Sequence, residues 1–134
     1  MPVTVTGGCL CGALRYEARG APGVAGYCCC GDCRKASGSA FIGFMGFPPG
    51  RITITGEARR FHSPAANGNV ATRNFCAVCN SLVFGGGPDL GGINVYAGSL
   101  DDATQFKPTI ALFTRDMAHW AILPDGLKRF ETMP

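Results

Sequence analysis

Charge is scarce in this chain: of its 134 residues only 16% are Asp, Glu, Lys or Arg, and the formal net charge is +3. Basic residues never stand together in more than pairs, so the basic stripe that a phosphate backbone requires is missing and nucleic acid is not an expected partner. No apolar run approaches the roughly 20 residues needed to cross a bilayer, which excludes a helical membrane span. Helix signals are thin, internal repeats and low-complexity runs are absent, and Pro48-Pro49-Gly50 reads as a turn rather than a linker. Residues 1–134 are therefore read as a single domain. The opening Met1–Gly8 segment lacks the charged n-region and apolar core of a secretory signal, which predicts a cytoplasmic setting. Disorder is excluded too, because 46% of the residues are hydrophobic.

The chain is rich, by contrast, in cysteine, with eight, and in turn formers, with 20 Gly and nine Pro. Short segments bounded by Gly or Pro and rich in β-branched or aromatic residues read as strands: Val3–Thr6, Ala13–Ala18, Ala40–Phe47, Arg51–Thr55, Val70–Phe75, Leu82–Phe84 and Gly92–Ala97. Alternation in Arg51–Thr55 places Ile52 and Ile54 on a core face and the threonines outward. Two segments read as a turn or two of helix: Asp32–Ser37, and Ser99–Thr104 with Ser99 as N-cap and Asp101 and Asp102 in the first turn. The expected class is mostly β. A small domain of short strands buries little apolar surface per residue, so metal staples would serve it well.

In a reducing compartment a cysteine-dense chain is expected to bind metal or do thiol chemistry rather than form disulfides, and the run Cys28-Cys29-Cys30 would be hard to pair without strain. Cys9 and Cys11, two residues apart, can project from one face of a strand, and Cys76-Ala77-Val78-Cys79 is a knuckle that supplies two ligands from a tight turn. Joined, they would give a closed four-thiolate zinc site. Asn80 stands where such a knuckle needs a left-handed backbone, which Asn tolerates better than other residues with a Cβ. In Cys28–Cys33, an extended backbone places Cys28 and Cys30 on one face, Gly31 lets Cys33 come around, and Cys29 points away. Three thiolates without a fourth protein ligand make an open site that water or substrate completes. A closed site completed by Cys29, Asp32, His62 or His119, or a group of metal-free thiols, remains an alternative at this point.

The stretches Gly7–Tyr16, Cys28–Ser39 and Arg73–Ser81, followed by Gly98-Ser99-Leu100-Asp101-Asp102, His119-Trp120 and Pro124-Asp125-Gly126-Leu127, together resemble the glutathione-dependent formaldehyde-activating enzyme (GFA) family, which also includes centromere protein V. The resemblance implies an Mss4-like fold of several short coiled antiparallel sheets. It also implies two zinc ions per chain: a structural one on Cys9, Cys11, Cys76 and Cys79, and a catalytic, readily exchanged one on Cys28, Cys30 and Cys33. The implied activity is that of a carbon–sulfur lyase on a glutathione–aldehyde adduct such as S-hydroxymethylglutathione. The partner is then a small-molecule thiol, glutathione or its adduct. Glutathione carries two carboxylates, for which Arg34 and Lys35 offer cations and Ser37, Gly38 and Ser39 offer hydroxyl or backbone donors; an exposed charged turn is the other reading of these five.

Three positions depart from the family pattern: Cys29 and Ala111 stand where the family usually has histidine, and Asn80 where it has glycine. The expected metal ligands are untouched, but two imidazoles that could orient a thiolate or move a proton are missing. Three thiolates and one Zn²⁺ leave one net negative charge, which favours thiolate positioning over carbonyl polarisation. With seven zinc-bound thiolates and two zinc ions the loaded chain falls from +3 to net neutrality. Two readings of other classes stand beside the enzyme: a zinc-stabilised interaction module without catalysis, and a thiol-redox or metal-handling protein.

Overall fold

The computed structural model describes residues 3–65 and 68–134. In chain order the elements are β1 (Thr4–Gly8), β2 (Arg15–Arg19), β3 (Val24–Cys28), α1 (Gly31–Ser37), β4 (Ile42–Phe47), β5 (Ile52–Thr55), β6 (Ala58–Pro64), β7 (Val70–Cys76), β8 (Leu82–Gly87), β9 (Gly92–Tyr96), β10 (Ile110–Leu112) and β11 (Lys128–Arg129). The fold is mostly β. A three-stranded antiparallel sheet runs β1-β2-β5, and an eight-stranded sheet runs β11-β10-β3-β4-β9-β8-β7-β6. The larger sheet is mixed rather than purely antiparallel, because the C-terminal part of the chain returns to lay β10 parallel to β3 and β11 parallel to β10. Among the described residues no helix is long and apolar enough to cross a membrane.

The small sheet obeys the period of two closely. Val5 on β1, Tyr16 and Ala18 on β2 and Ile52 on β5 are buried while Glu17, Thr53 and Thr55 are exposed, and Ile54 packs against the same core. Those side chains meet Met45, Phe47, Val83, Ile93 and Val95 of the large sheet in one core cluster, which also takes in Cys9 and Cys76. A second, smaller core of Cys29, Ala111 and Leu123, with Tyr27, Phe41, Met117 and Leu127 against it, lies where the C-terminal segment covers β3.

Four strands lie outside the segments that the pattern identifies. β6 carries exposed Arg59, Arg60, Phe61 and His62 at the sheet edge, so it shows no buried alternate face. β3 contains Gly26, where a Cβ would fall 2.6 Å from the Ile110 side chain; glycine is what lets β10 approach, and it weakens the strand signal. β10 and β11 have three and two residues. The expected helix over Ser99–Thr104 is replaced by two single tight turns, Ala97–Ser99 and Ala103–Gln105. Between them Leu100 is buried and bridged to Gly7, and the Asp101 N–H donates to the Thr6 carbonyl, so backbone groups that a helix would use internally are given to β1. Ser99 spends its hydroxyl on the Tyr96 carbonyl at 2.7 Å, and Asp102 is the residue that caps a turn, accepting from the Thr104 N–H.

Candidate functional site

Cys9 and Cys11 lie in the turn between β1 and β2 rather than on a strand, held by Cys9 N–H to Leu14 O at 3.0 Å and Gly12 N–H to Cys9 O at 3.2 Å. Cys76 ends β7, and Cys79 sits in the turn that leads to β8. The backbone at Asn80 is left-handed, with φ 63°, as the sequence predicts. The four sulfurs lie within 4.8 Å of one another, with Cys9–Cys11 at 3.6 Å and Cys11–Cys76 at 3.7 Å. Sulfurs at about 2.3 Å from a tetrahedral zinc ion stand about 3.8 Å apart, so the donor set fits zinc. Backbone N–H groups of Leu14, Val78 and Cys79 donate to the Cys9 and Cys76 sulfurs, as suits thiolates, and hydrogen bonds from the Ser81 hydroxyl and backbone bring the Cys79 thiol down to about 5.

The second centre forms where β3 runs into α1. Cys28 closes the strand, Cys30 caps the helix with its sulfur accepting the Cys33 N–H at 3.3 Å, and Cys33 lies in the first turn. Their sulfurs gather within 4.8 Å, with Cys28–Cys30 at 3.5 Å. Three sulfurs this close resist joint ionisation. Hydrogen bonds from the Cys28 and Cys33 side chains hold Cys30 down to about 2, while the same contacts push Cys28 far above the ordinary thiol range. A bound dication is the species that allows all three to ionise, which again fits zinc.

The surroundings of the two centres differ. Cys28 and Cys33 line a cavity of about 1290 Å³ that also presents Phe44, His62, Arg73 and Tyr96, whereas no cysteine of the four-Cys centre lines it. His62 is fixed by its Nδ1 against the Thr72 hydroxyl at 2.9 Å, and burial pushes the Tyr96 phenol up. Arg73, buried on β7, directs its Nη2 to the Cys33 sulfur at 3.9 Å. A second cavity of about 400 Å³ also has Arg73 in its lining, and it is bordered by Asp32 and Lys35 of α1.

A family profile, that of the glutathione-dependent formaldehyde-activating enzyme, matches residues 4–116, which contain both cysteine centres. The chain belongs to this family. No match is found among curated proteins. In this GFA chain the four-and-three division of seven cysteines that the spacing suggests is the division that the structure makes, and the eighth, Cys29, is a fully buried side chain turned away from both centres. Cys29 packs with Ala111 in the smaller core, joined by the Cys29 N–H to Leu112 O bond. Cys29 and Ala111, the two positions at which a histidine is expected from the resemblance, are therefore neighbours in the smaller core.

The five residues considered for substrate contact separate. Lys35 reaches the smaller cavity, together with Asp32. Arg34 is half-buried with its Nε unpartnered and borders neither cavity. Ser37, Gly38 and Ser39 end the helix: Ser37 donates to Cys33 O at 2.8 Å, Gly38 is left-handed at φ 65° with its N–H on Arg34 O, and Ser39 donates to Phe41 O at 2.8 Å. Arg73 and Tyr96 carry no role in the sequence reading, and His62 enters it as a possible fourth ligand but is not grouped with the three sulfurs, although all three residues line the main cavity. Arg73 stands in the strand Val70–Phe75, three residues before Cys76, but an arginine on the solvent face of a strand needs no anion, so the sequence does not single it out.

Proposed function

We propose that this GFA protein is a zinc-dependent carbon–sulfur lyase acting on a thiol–aldehyde adduct of the S-hydroxymethylglutathione kind, at the three-Cys centre. The reading is carried by one observation: the centre with only three sulfurs is the one that opens on the large cavity, through Cys28 and Cys33. A zinc ion held there would lower the pKa of an arriving thiol and keep its sulfur anionic near neutral pH. In the lyase direction the adduct's hydroxyl loses its proton, the carbon–sulfur bond breaks with the electron pair going to sulfur, and the aldehyde departs. The cavity of about 1290 Å³ has the volume to take a tripeptide thiol, and its walls include apolar Phe44 and Ile42. Arg73 places a guanidinium beside Cys33, on the side where anionic sulfur accumulates. The hydroxyl proton passes to solvent, because His62 pairs with Thr72 on the strand face opposite the one from which Arg73 reaches Cys33.

The same geometry disfavours a redox protein built on three adjacent thiols. Cys29 is 0% exposed and outside the cluster, so the cysteine run presents two reactive sulfurs and one core side chain.

Cys30→Ser tests the proposal cleanly, since Ser is a preferred N-cap and preserves the start of α1 while removing a thiolate. We expect turnover of S-hydroxymethylglutathione, followed by formaldehyde release, to drop at least 100-fold with the far-ultraviolet circular dichroism spectrum unchanged. Full activity in this variant would overturn the assignment of the three-Cys centre.

A further inference from the structure

Strand register puts three chemistry-bearing side chains on one face of the eight-stranded sheet. Arg73 on β7 pairs with Gly85 on β8, and Gly85 pairs with Asn94 on β9. Tyr96 follows two residues after Asn94 and pairs with Phe44 on β4, while Cys28 on β3 pairs with Ile42, two residues before Phe44. Partners across a ladder and residues two apart along a strand share a face, so Arg73, Tyr96 and Cys28 all project from the face that lines the main cavity. Glycine at position 85 makes room for the phenol: a Cβ there would stand 2.7 Å from the Tyr96 hydroxyl oxygen, and Gly85 has no left-handed backbone that would call for glycine on its own account. The hydroxyl thus lies over the ladder partner of Arg73, whose Nη2 approaches the Cys33 sulfur. Burial pushes the Tyr96 phenol up, and Arg73, Cys33, Cys28 and Cys30 are all near enough to act on it as well. Tyr16, buried in the main core, sets its hydroxyl 2.8 Å from the Ser99 Oγ, as a buried phenol is expected to find a partner. Tyr96 is half-buried in the cavity wall, and its hydroxyl has no hydrogen-bond partner among the described residues.

We propose that the Tyr96 hydroxyl is the catalytic donor to the substrate oxygen: with the adduct's sulfur at the three-Cys centre, it hydrogen-bonds the oxygen on the sulfur-bearing carbon and stabilises the negative charge there as the carbon–sulfur bond breaks. The adduct's hydroxyl proton goes to solvent, an oxygen electron pair closes the aldehyde double bond, and the carbon–sulfur pair goes to sulfur. The phenol keeps its own proton throughout. Burial favours the neutral phenol, which is the form that donates. Arg73 is committed to the Ser63 hydroxyl and the Cys33 sulfur, which leaves the oxygen to an uncharged donor. Such a hydrogen bond is strongest when the charge on oxygen is largest, so it contributes to kcat more than to KM. The assignment rests on the thiol–aldehyde reading above for the molecule that carries the oxygen.

Two readouts test it. In zinc-loaded protein whose tyrosines carry ¹³C at the ζ carbon, the Tyr96 resonance is assigned by its absence in Tyr96→Phe. S-Hydroxymethylglutathione, kept as the adduct by excess formaldehyde, is expected to move that resonance, and S-methylglutathione, which has no oxygen on the same carbon, to leave it in place. In turnover, Tyr96→Phe keeps the ring and is expected to lose about 100-fold in kcat with KM within about twofold. Gly85→Ala reaches the same hydroxyl independently, because its Cβ displaces the phenol, and it should lose kcat to a similar extent. Gly85→Ala combined with Tyr96→Phe should be no slower than either alone, since without the hydroxyl the nearest ring atom stands 3.4 Å from that Cβ. A resonance that moves equally with both ligands or with neither overturns the assignment, and so does a kcat in Tyr96→Phe within about twofold of the parent. If the parent turns over the adduct, either result leaves the lyase reading standing. A parent whose Tyr96 resonance moves with the adduct alone, but which releases no formaldehyde, supports the hydrogen bond and defeats the lyase reading.

Discussion

The four-Cys and three-Cys centres use the same donor at nearly the same spacing, 3.6 and 3.7 Å between sulfurs in one and 3.5 Å in the other, yet they tie together very different lengths of chain. Cys11 and Cys76 are 65 positions apart, so a metal between them closes a long loop and joins the β1–β2 turn to the β7–β8 turn. Cys28, Cys30 and Cys33 lie within one strand end and one helix turn that are already held by backbone hydrogen bonds. Closing a long loop removes far more entropy from the unfolded chain than closing a short one. In the four-Cys centre Cys9 and Cys76 belong to the main core while Cys11 is exposed, whereas Cys28, Cys30 and Cys33 are all half-buried and two of them, Cys28 and Cys33, line a cavity. The proposed roles, one centre holding the fold and the other receiving substrate, rest on this difference in loop length and surroundings.

The strongest way to break this comparison is to remove one thiolate from each side. Cys76→Ser puts a hydroxyl at a position that is 0% exposed and opens the long loop. We expect it to cost at least about 3 kcal/mol and a zinc ion, if it folds at all. Cys30→Ser should cost less than about 1 kcal/mol, because the helix cap is kept. Thermal unfolding of the zinc-loaded proteins with metal content measured in parallel decides the matter. A larger loss in Cys30→Ser than in Cys76→Ser would exchange the roles of the two centres.

A smaller effect sharpens the comparison at the backbone. Both centres are followed by a left-handed residue, Asn80 at φ 63° after the knuckle and Gly38 at φ 65° at the end of α1. Glycine occupies such a conformation without strain, and a β-branched residue does not. Asn80→Val is therefore expected to destabilise by about 1–2 kcal/mol, read as a fall in the urea midpoint at unchanged slope. Asn80→Gly should stay close to the wild type. An Asn80→Val protein as stable as the parent would mean that the knuckle does not depend on this backbone.

What could be read from the sequence was local. Cys28-x-Cys30 with Cys33, and Cys76-x-x-Cys79, sit close enough in the chain for short-range geometry to bring their sulfurs together, and Asn80 and the Ile52–Ile54 alternation report on their own backbone. The rest depended on distant partners. Strand β6 forms because β7 offers a full register from Ala58–Cys76 to Pro64–Val70, not because Ala58–Pro64 has an apolar face. Ser99–Thr104 has a helix-like pattern, but β1 competes successfully for its backbone groups through Gly7 and Thr6. Arg73 had no visible role until β7 and α1 were seen to set it against Cys33 and in the lining of two cavities.

The smallest expected effect concerns the ion pair beside the four-Cys turn. Arg15, next to that turn on β2, is bridged by Asp101, which also accepts from the Thr6 hydroxyl at 2.8 Å, so the pair ties the segment after Leu100 to β1 and β2. These hydrogen bonds, Arg15 first, hold the Asp101 carboxyl down to about 2 from an ordinary 3.8. A folded-state value below the unfolded one adds stability that is complete above about pH 4 and disappears as the pH falls through the folded value. The difference in melting temperature between the wild type and Asp101→Asn should thus be constant from pH 8 to about pH 5 and shrink from there toward pH 2, with metal loss, common to both proteins, cancelling in the difference. Both side chains are more than 40% exposed, so the difference should be small and smaller still in high salt. A difference that instead grew on acidification would show that Asp101 is not charged in its fold, and that the cysteine turn is held by its sulfurs and backbone without help from this pair.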